Sequence, residues 1–130
     1  VNACLNYGYA IIRGAIARQL VLHGLHPPMG IFHDNEQNAF NLADDLIEPF
    51  RPVVDLFVVR HLRGVLRADA IPKASLVRLL NVDIDMPEGK MAVATAIEYA
   101  VESLVRVLEG KDNMLSLPEL MPLREHFRET

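Results

Sequence analysis

Several features common in folded proteins are scarce in this 130-residue sequence. It has no tryptophan, and aromatic residues make up only 6% of it, so its core must be built mainly from aliphatic side chains. A single cysteine excludes an intramolecular disulfide and fits a reducing compartment, which predicts a cytoplasmic protein. Arg13, Arg18 and Asp55 interrupt the longest apolar stretches, so neither a transmembrane span nor a signal peptide is predicted. The sequence also lacks a P-loop, a dinucleotide fingerprint and a zinc ligand set.

The length and composition predict one domain with a substantial core. Residues 1–130 are enough for a single hydrophobic core, and 51% of them are apolar. The net charge of −4 argues against a wholly basic nucleic-acid binder, but the charge is unevenly distributed. Residues 34–48 hold five acidic residues and no basic one, whereas residues 51–80 are rich in arginine and lysine. This arrangement suits a metal site beside a phosphate-binding surface. Ordinary charged helix surfaces are the alternative explanation.

The hydrophobic periodicity predicts an all-α, helical bundle-like domain with at most one short β-hairpin near 82–91. Helices are predicted over 1–23, 38–48, 53–62, 75–80 and 91–109, and a last one within 115–130. Val82, Ile84 and Met86 alternate with aspartates, which is the period of a strand.

The segment 30–52, GIFHDNEQNAFNLADDLIEPFRP, holds the candidate metal ligands. His33 lies in a predicted loop, and Asp45 and Glu48 are three residues apart, so they share a face of the helix that follows. One imidazole with carboxylates and water is ligation typical of Mg²⁺ or Mn²⁺. From the residues alone the pattern is weakly specific, and a solvated helix face of Asp44, Asp45 and Glu48 with an ordinary loop histidine is the simpler explanation.

A longer series of motifs resembles a known family. The sequence contains NYGY at 6–9, GLHP at 24–27, GIFH at 30–33, NAF at 38–40 and ADDLIEPFRP at 43–52. These resemble the helical catalytic domain of the CRISPR-associated adaptation integrases, the Cas-one family, and most of all its type II branch. The resemblance is strong over residues 2–55 and looser beyond them.

The resemblance implies a metal-dependent DNA endonuclease and integrase, in which a DNA 3′-hydroxyl attacks a phosphodiester at the border of a CRISPR repeat. It implies that His33 and Glu48 are catalytic metal ligands and that Asp45 is a nearby acid. The implied cofactor is Mg²⁺ or Mn²⁺. The implied partners are double-stranded DNA, a second copy of the parent protein and the small Cas-two subunit, in the prokaryotic cytoplasm.

One part of the family pattern is missing from the sequence. The resemblance implies a further metal-binding glutamate, in a Glu-Gly element upstream, and an N-terminal β-rich domain. The sequence contains neither, so it is interpreted as a truncated C-terminal domain that binds metal weakly and has little integrase activity alone. The alternative hypothesis is a non-catalytic helical module that binds DNA or protein.

Further roles are predicted for three arginines outside the motifs and for two residues within them. Arg60, Arg63 and Arg67 lie on one stripe if their helix continues past Gly64, and they either contact DNA phosphates or form an ordinary solvated face. Arg51 is predicted to pair with Asp44 or Asp55 in a structural role, which is favoured over a role in substrate binding. Tyr9 is predicted to pack with its hydroxyl group hydrogen-bonded.

Overall fold

The described part of the chain is mostly helical. The structure, a computed structural model, describes residues 2–24, 44–61 and 73–119. Within them, helix α1 (Asn2–Leu22) is followed by a helical turn at 44–47, a 3₁₀ turn (Glu48–Phe50) and helix α2 (Arg51–His61). Then come α3 (Lys73–Val77), a second 3₁₀ turn (Arg78–Asn81), strands β1 (Asp83–Met86) and β2 (Gly89–Ala92), and α4 (Val93–Leu108). This confirms the predicted mostly α-helical fold with one short hairpin.

Helix α1 lies at the centre of the packing. It contacts α2, α3 and α4, which bury one aliphatic core between them. Ile12 and Ile16 of α1 are fully buried. The other elements contribute mainly valine, leucine, isoleucine and alanine, with Phe50 and Phe57 as the buried aromatic residues of this core. The scarcity of aromatics in the sequence is therefore reflected in a core of mainly aliphatic side chains.

The hairpin forms where the alternating pattern predicts it. Strands β1 and β2 are antiparallel, with Asp83 opposite Ala92 and Met86 opposite Gly89. Ile84 and Met86 are buried, whereas Asp83 is exposed, so the apolar face of β1 is turned to the core. Gly89 has a φ of +134°, a backbone conformation that L side chains rarely adopt. A glycine is therefore needed directly after the turn.

Helix α4 begins two residues later than predicted. Met91 and Ala92, assigned to the helix from the sequence, lie in β2 because they pair with Ile84 and Asp83. The N–H of Val93 donates to the carbonyl of Val82 at 2.8 Å and closes the hairpin at the point where α4 starts. The predicted apolar stripe is buried as far as Leu104, but Leu108 is exposed.

The segment after α4 forms neither helix nor strand where the structure describes it. The short helix predicted within 115–130 would begin after Pro118 or Pro122, and residues 120–130 lie outside the described part, so it stays a prediction. The residue before Pro118 is disfavoured in a helix. The backbone N–H of Ser116 instead donates to Ser103 Oγ at 2.8 Å, and that of Glu119 donates to the Asp85 carbonyl at 2.9 Å. The segment therefore packs against both α4 and the hairpin.

Candidate functional site

An open pocket lies between α1 and the junction that leads into α2. Its volume is about 510 Å³. Four lining residues come from α1 and four from the stretch 44–51: Asn6, Tyr9, Ala10, Arg13, Asp44, Ile47, Glu48 and Arg51. Two carboxylates and two guanidinium groups therefore line the pocket together with the apolar residues Ala10 and Ile47.

Glu48 stands at the start of the 3₁₀ turn. Pro49 follows it, and proline is well tolerated in a first helical turn because its missing N–H would have no partner there. Leu46, Ile47 and Phe50 are buried, which fixes the backbone on either side of Glu48. The side chain of Glu48 itself is 60% exposed and accepts a hydrogen bond from Nε of Arg51. A buried scaffold thus presents an accessible carboxylate.

A second carboxylate in the pocket comes from Asp44. Its Oδ1 accepts a hydrogen bond from Nε of Arg13 on α1 at 2.7 Å. Both side chains are about half exposed, so the ion pair is screened by water and contributes little to stability. Asp44 and Glu48 are four residues apart, which places them on one side of the helical turn.

Tyr9 supports the pocket from α1. Its hydroxyl group donates to Oδ1 of Asp55 on α2, which confirms the predicted hydrogen-bonded tip. Burial raises the pKa of Tyr9, and the hydrogen bond to Asp55 and the charge of that carboxylate act in the same direction. The guanidinium carbon of Arg51 lies 4.7 Å from the centre of the Tyr9 ring, within cation–π range. The hydrogen bond to Glu48 raises the pKa of Arg51, which is therefore a permanent cation.

The predicted site residues have different outcomes. Glu48 lines the pocket, whereas Asp45 is exposed and is not among the lining residues. His33 lies outside the described residues, so its place as a metal ligand stays a prediction. Arg51 does form a structural ion pair, but its partner is Glu48 rather than the predicted Asp44 or Asp55.

The predicted DNA-binding arginines are only partly described. Arg60 is partly buried in α2, and its Nε atom is buried without a hydrogen-bond partner in the described part of the chain. It does not line the pocket. Arg63 and Arg67 lie outside the described residues. The phosphate-contacting role of the three arginines therefore stays a prediction.

Among the charged pocket residues, Arg13 was not predicted to belong to the site, and Asp44 was predicted only as one of the acidic residues of 34–48 and not as a ligand. The i, i+4 spacing of Asp44 and Glu48 was a usable signal, because it brings two side chains to the same face of a helix. No comparable signal linked Arg13 to Asp44, since 31 residues separate them and only the packing of α1 brings them together.

The donor set fits a hard divalent cation in part. Asp44 and Glu48 supply carboxylate oxygens, the ligand type that Mg²⁺ and Mn²⁺ prefer, and the pocket is open to solvent. Among residues 2–24, 44–61 and 73–119, no three His, Cys, Asp or Glu side chains are close enough to hold a metal ion. Such a cation would therefore need a ligand from elsewhere, and His33 is the predicted one.

Comparison with known proteins defines the class of this helical domain. The family described as CRISPR associated protein Cas1, the Cas-one family, matches residues 1–81, which include every lining residue of the pocket. The chain belongs to the Cas1 family. In the described part of the chain, no helix combines the length and apolar character needed to cross a membrane.

Individual relatives of the chain also carry the name Cas1. The chain is 44% identical over 131 residues to the CRISPR-associated endonuclease Cas1 of Neisseria meningitidis serogroup C (strain 8013), covering 97% of this chain and 43% of the relative. It is 31% identical to the protein of that name from Korarchaeum cryptofilum (strain OPF8), covering 85% of this chain and 36% of the relative. The chain thus spans less than half the length of these curated relatives. No solved structure matches.

Proposed function

We propose that this chain forms part of a metal-dependent DNA endonuclease and integrase of CRISPR spacer acquisition. The observation that carries the proposal is the pocket that presents Glu48 and Asp44 on the segment matched by the Cas1 family. Relatives named as CRISPR-associated endonucleases support a nuclease role. Double-stranded DNA, a second copy of the parent protein and the Cas-two subunit are the proposed partners.

In this proposal Glu48 and His33 hold Mg²⁺ or Mn²⁺. Asp44 is the further carboxylate that lines the same pocket, whereas the predicted Asp45 does not line it. The bound cation would polarise a phosphodiester and lower the pKa of an attacking hydroxyl group. A DNA 3′-hydroxyl oxygen forms a bond to phosphorus and releases its proton, while the bridging oxygen of the repeat strand leaves and is protonated. The buried neighbours Leu46, Ile47 and Phe50 fix the backbone that carries Glu48.

Metal binding by the chain tests the proposal. Titration with Mn²⁺, followed by the electron paramagnetic resonance signal of the free ion, should show weak binding. Loss of a residue that merely supports a metal ligand costs about 10- to 100-fold in affinity, so Glu48→Gln should lower the affinity by at least about tenfold. Glu98→Gln is the matched control, because Glu98 is exposed on α4 and does not line the pocket.

Each outcome separates the two hypotheses. Mn²⁺ binding that is weakened by Glu48→Gln and by His33→Ala, but not by Glu98→Gln, supports the nuclease proposal. Equal affinities in all variants would remove Glu48 and His33 from the metal site. No binding by the unchanged chain would favour the alternative, a non-catalytic helical DNA- or protein-binding module.

The salt dependence of DNA binding tests the three arginines. Each phosphate contact contributes about 0.9 to the slope of log affinity against log salt for duplex DNA, so the triple change of Arg60, Arg63 and Arg67 to glutamine should reduce the slope by about 2–3. The same change at Arg18, Arg78 and Arg106, which are exposed, controls for net charge. Equal slopes for the two triple variants would remove Arg60, Arg63 and Arg67 from the interface.

A further inference from the structure

Arg51 has two partners in the pocket. Its Nε–H donates to Oε2 of Glu48, and its guanidinium group lies over the ring of Tyr9. Tyr9 is in turn fixed by the hydrogen bond from its hydroxyl group to Asp55, which belongs to the same helix as Arg51. The Tyr9 ring on which Arg51 lies is therefore held by α1 and α2 and not by Glu48.

The two partners differ in how easily they can be exchanged. The side chains of Arg51 and Glu48 are 46% and 60% exposed, and ion pairs of this kind contribute little because water and salt screen them. The hydrogen bond between Tyr9 and Asp55 is part-buried and spans two helices. Glu48 can therefore turn away from Arg51 at small cost, while the Tyr9 ring stays where it is.

We propose that Arg51 is the exchangeable counter-ion of Glu48 and that it becomes a phosphate-binding group when Glu48 binds a divalent cation. This inference rests on the metal site of the proposed function. Without a cation, the guanidinium group neutralises the carboxylate. Once Glu48 is engaged elsewhere, Arg51 remains on the Tyr9 ring with an unpaired charge, and its planar fork of N–H donors matches the oxygens of a DNA phosphodiester.

The exchange predicts that metal affinity will change in an unusual direction when Arg51, a residue beside a metal ligand, is replaced. Arg51 competes with the cation for the Glu48 carboxylate and repels it, so removal of the guanidinium group should strengthen metal binding. In an exposed pair the gain should be about two- to fivefold. A residue that merely positioned Glu48 for the cation would weaken metal binding when it was removed. The direction of the change therefore distinguishes the two roles.

The first experiment measures Mn²⁺ affinity from the signal of the free ion. Arg51→Gln should bind Mn²⁺ about two- to fivefold more tightly than the unchanged chain. Arg106→Gln removes the same charge from the exposed face of α4, away from the pocket, and should leave the affinity unchanged. Circular dichroism shows whether each variant is folded.

The second experiment measures the affinity for a labelled DNA duplex by fluorescence anisotropy, with and without Mn²⁺. Mn²⁺ should tighten DNA binding by at least about fivefold, the lower range for coupled sites. Arg51→Gln should abolish most of this gain. Tyr9→Leu should reduce it because the ring is lost, whereas Tyr9→Phe keeps the ring without its hydrogen bond to Asp55 and should retain more of the gain than Tyr9→Leu.

Arg51→Lys covers the case in which the glutamine variant does not fold. Lysine keeps the positive charge and so the competition for Glu48, but it lacks the planar fork. This variant should bind Mn²⁺ like the unchanged chain and still lose the Mn²⁺-dependent gain in DNA affinity. Full retention of the gain would overturn the proposed exchange.

The outcomes separate this inference from the proposed function. Weaker Mn²⁺ binding by Arg51→Gln would overturn the exchange, while Mn²⁺ binding that still depends on Glu48 would leave the metal site standing. Equal DNA affinity with and without Mn²⁺ in the unchanged chain would also overturn the exchange. Absence of Mn²⁺ binding in the unchanged chain would overturn both proposals.

Discussion

Single residues of the pocket are held by polar partners from other parts of the chain. Arg13 of α1 binds Asp44 at 2.7 Å, and Tyr9 of α1 donates to Asp55 of α2. Side chains that are fixed before a ligand arrives lose less conformational freedom when it binds. The two contacts from α1 therefore reach both ends of the stretch 44–55, which contains Glu48, and the part-buried bond between Tyr9 and Asp55 is the less screened of the two.

The Tyr9 hydroxyl group predicts a loss of stability in alkaline solution. Burial and Asp55 raise its pKa in the folded state, so the folded protein holds this proton more tightly than the unfolded chain. The resulting stabilisation is complete below the unfolded-state pKa, about 10, and is lost as the pH rises through the folded-state pKa.

Tyr9→Phe tests this expectation. The variant lacks the titrating group, so it should be less stable than the unchanged chain at pH 8, and the difference should shrink from about pH 10 upward. Urea unfolding of both proteins at a series of pH values measures the difference. A difference that stayed constant up to pH 11 would contradict the assignment.

For single residues, the sequence predicted which side chains lie at the site better than it predicted which of them bond to one another. The acidic residues around Glu48 and the hydrogen-bonded tip of Tyr9 could be predicted, because spacing and side-chain chemistry are local properties. The partner of Arg51 could not, because Asp44, Glu48 and Asp55 are all within reach in sequence. Packing of α1 decided the outcome, since it placed Arg13 against Asp44 and Tyr9 against Asp55.

Helices α1 and α2 lie close together at Gly8, where there is no room for a Cβ atom. A Cβ atom on Gly8 would lie 2.6 Å from Cγ1 of Val54, which is fully buried. Valine in a helix has one strongly preferred side-chain rotamer, so Val54 cannot turn aside. Gly8 therefore sets the distance between the two helices that carry the pocket.

Two glycines of α1 allow a matched comparison. Gly8→Ala should destabilise the protein by about 1–3 kcal/mol because of overpacking against Val54. Gly14→Ala should stabilise it by about 0.5–1 kcal/mol, because alanine favours the helix and its Cβ would meet only Arg18 Nη1 at 3.7 Å. Thermal or urea unfolding measures both. Equal effects of the two substitutions would show that helix propensity, and not packing, dominates at Gly8.

Elements with a strong periodic pattern could be predicted, and those shaped by long-range contacts could not. The helix predicted over 1–23 is observed as Asn2–Leu22, and the alternation at Val82, Ile84 and Met86 correctly predicted the hairpin. Residues 115–119 form neither helix nor strand, and the backbone N–H groups of Ser116 and Glu119 bond to Ser103 and Asp85. Such distant partners leave no local signal.

For the whole molecule, a small polar cluster joins the last described segment to the rest of the fold. Ser103 Oγ donates to the carbonyl of Ala100 and accepts the N–H of Ser116 at 2.8 Å, and Ser116 Oγ donates to the carboxylate of Glu88 at 2.7 Å. Both serines are buried. The cluster therefore connects α4, the hairpin turn and the segment that follows α4.

Removal of one hydroxyl group tests this connection. Ser103→Ala leaves the buried N–H of Ser116 without its acceptor, which should cost about 1–3 kcal/mol. Hydrogen exchange of the Ser116 amide should become faster, and the midpoint of urea unfolding should fall. Ser116→Ala keeps that N–H bonded and loses only the contact to Glu88, so it should preserve the protection of the amide. Unchanged exchange in Ser103→Ala would rule out the proposed connection.

The packing of α1 against α4 also affects how the protein is made. The two helices lie at distant positions in the sequence, so α4 leaves the ribosome long after α1. At a synthesis rate of about 5–20 residues per second, several seconds pass before the apolar face of α1 can meet its final cover. The core therefore closes only late in translation, when the hairpin and α4 have emerged.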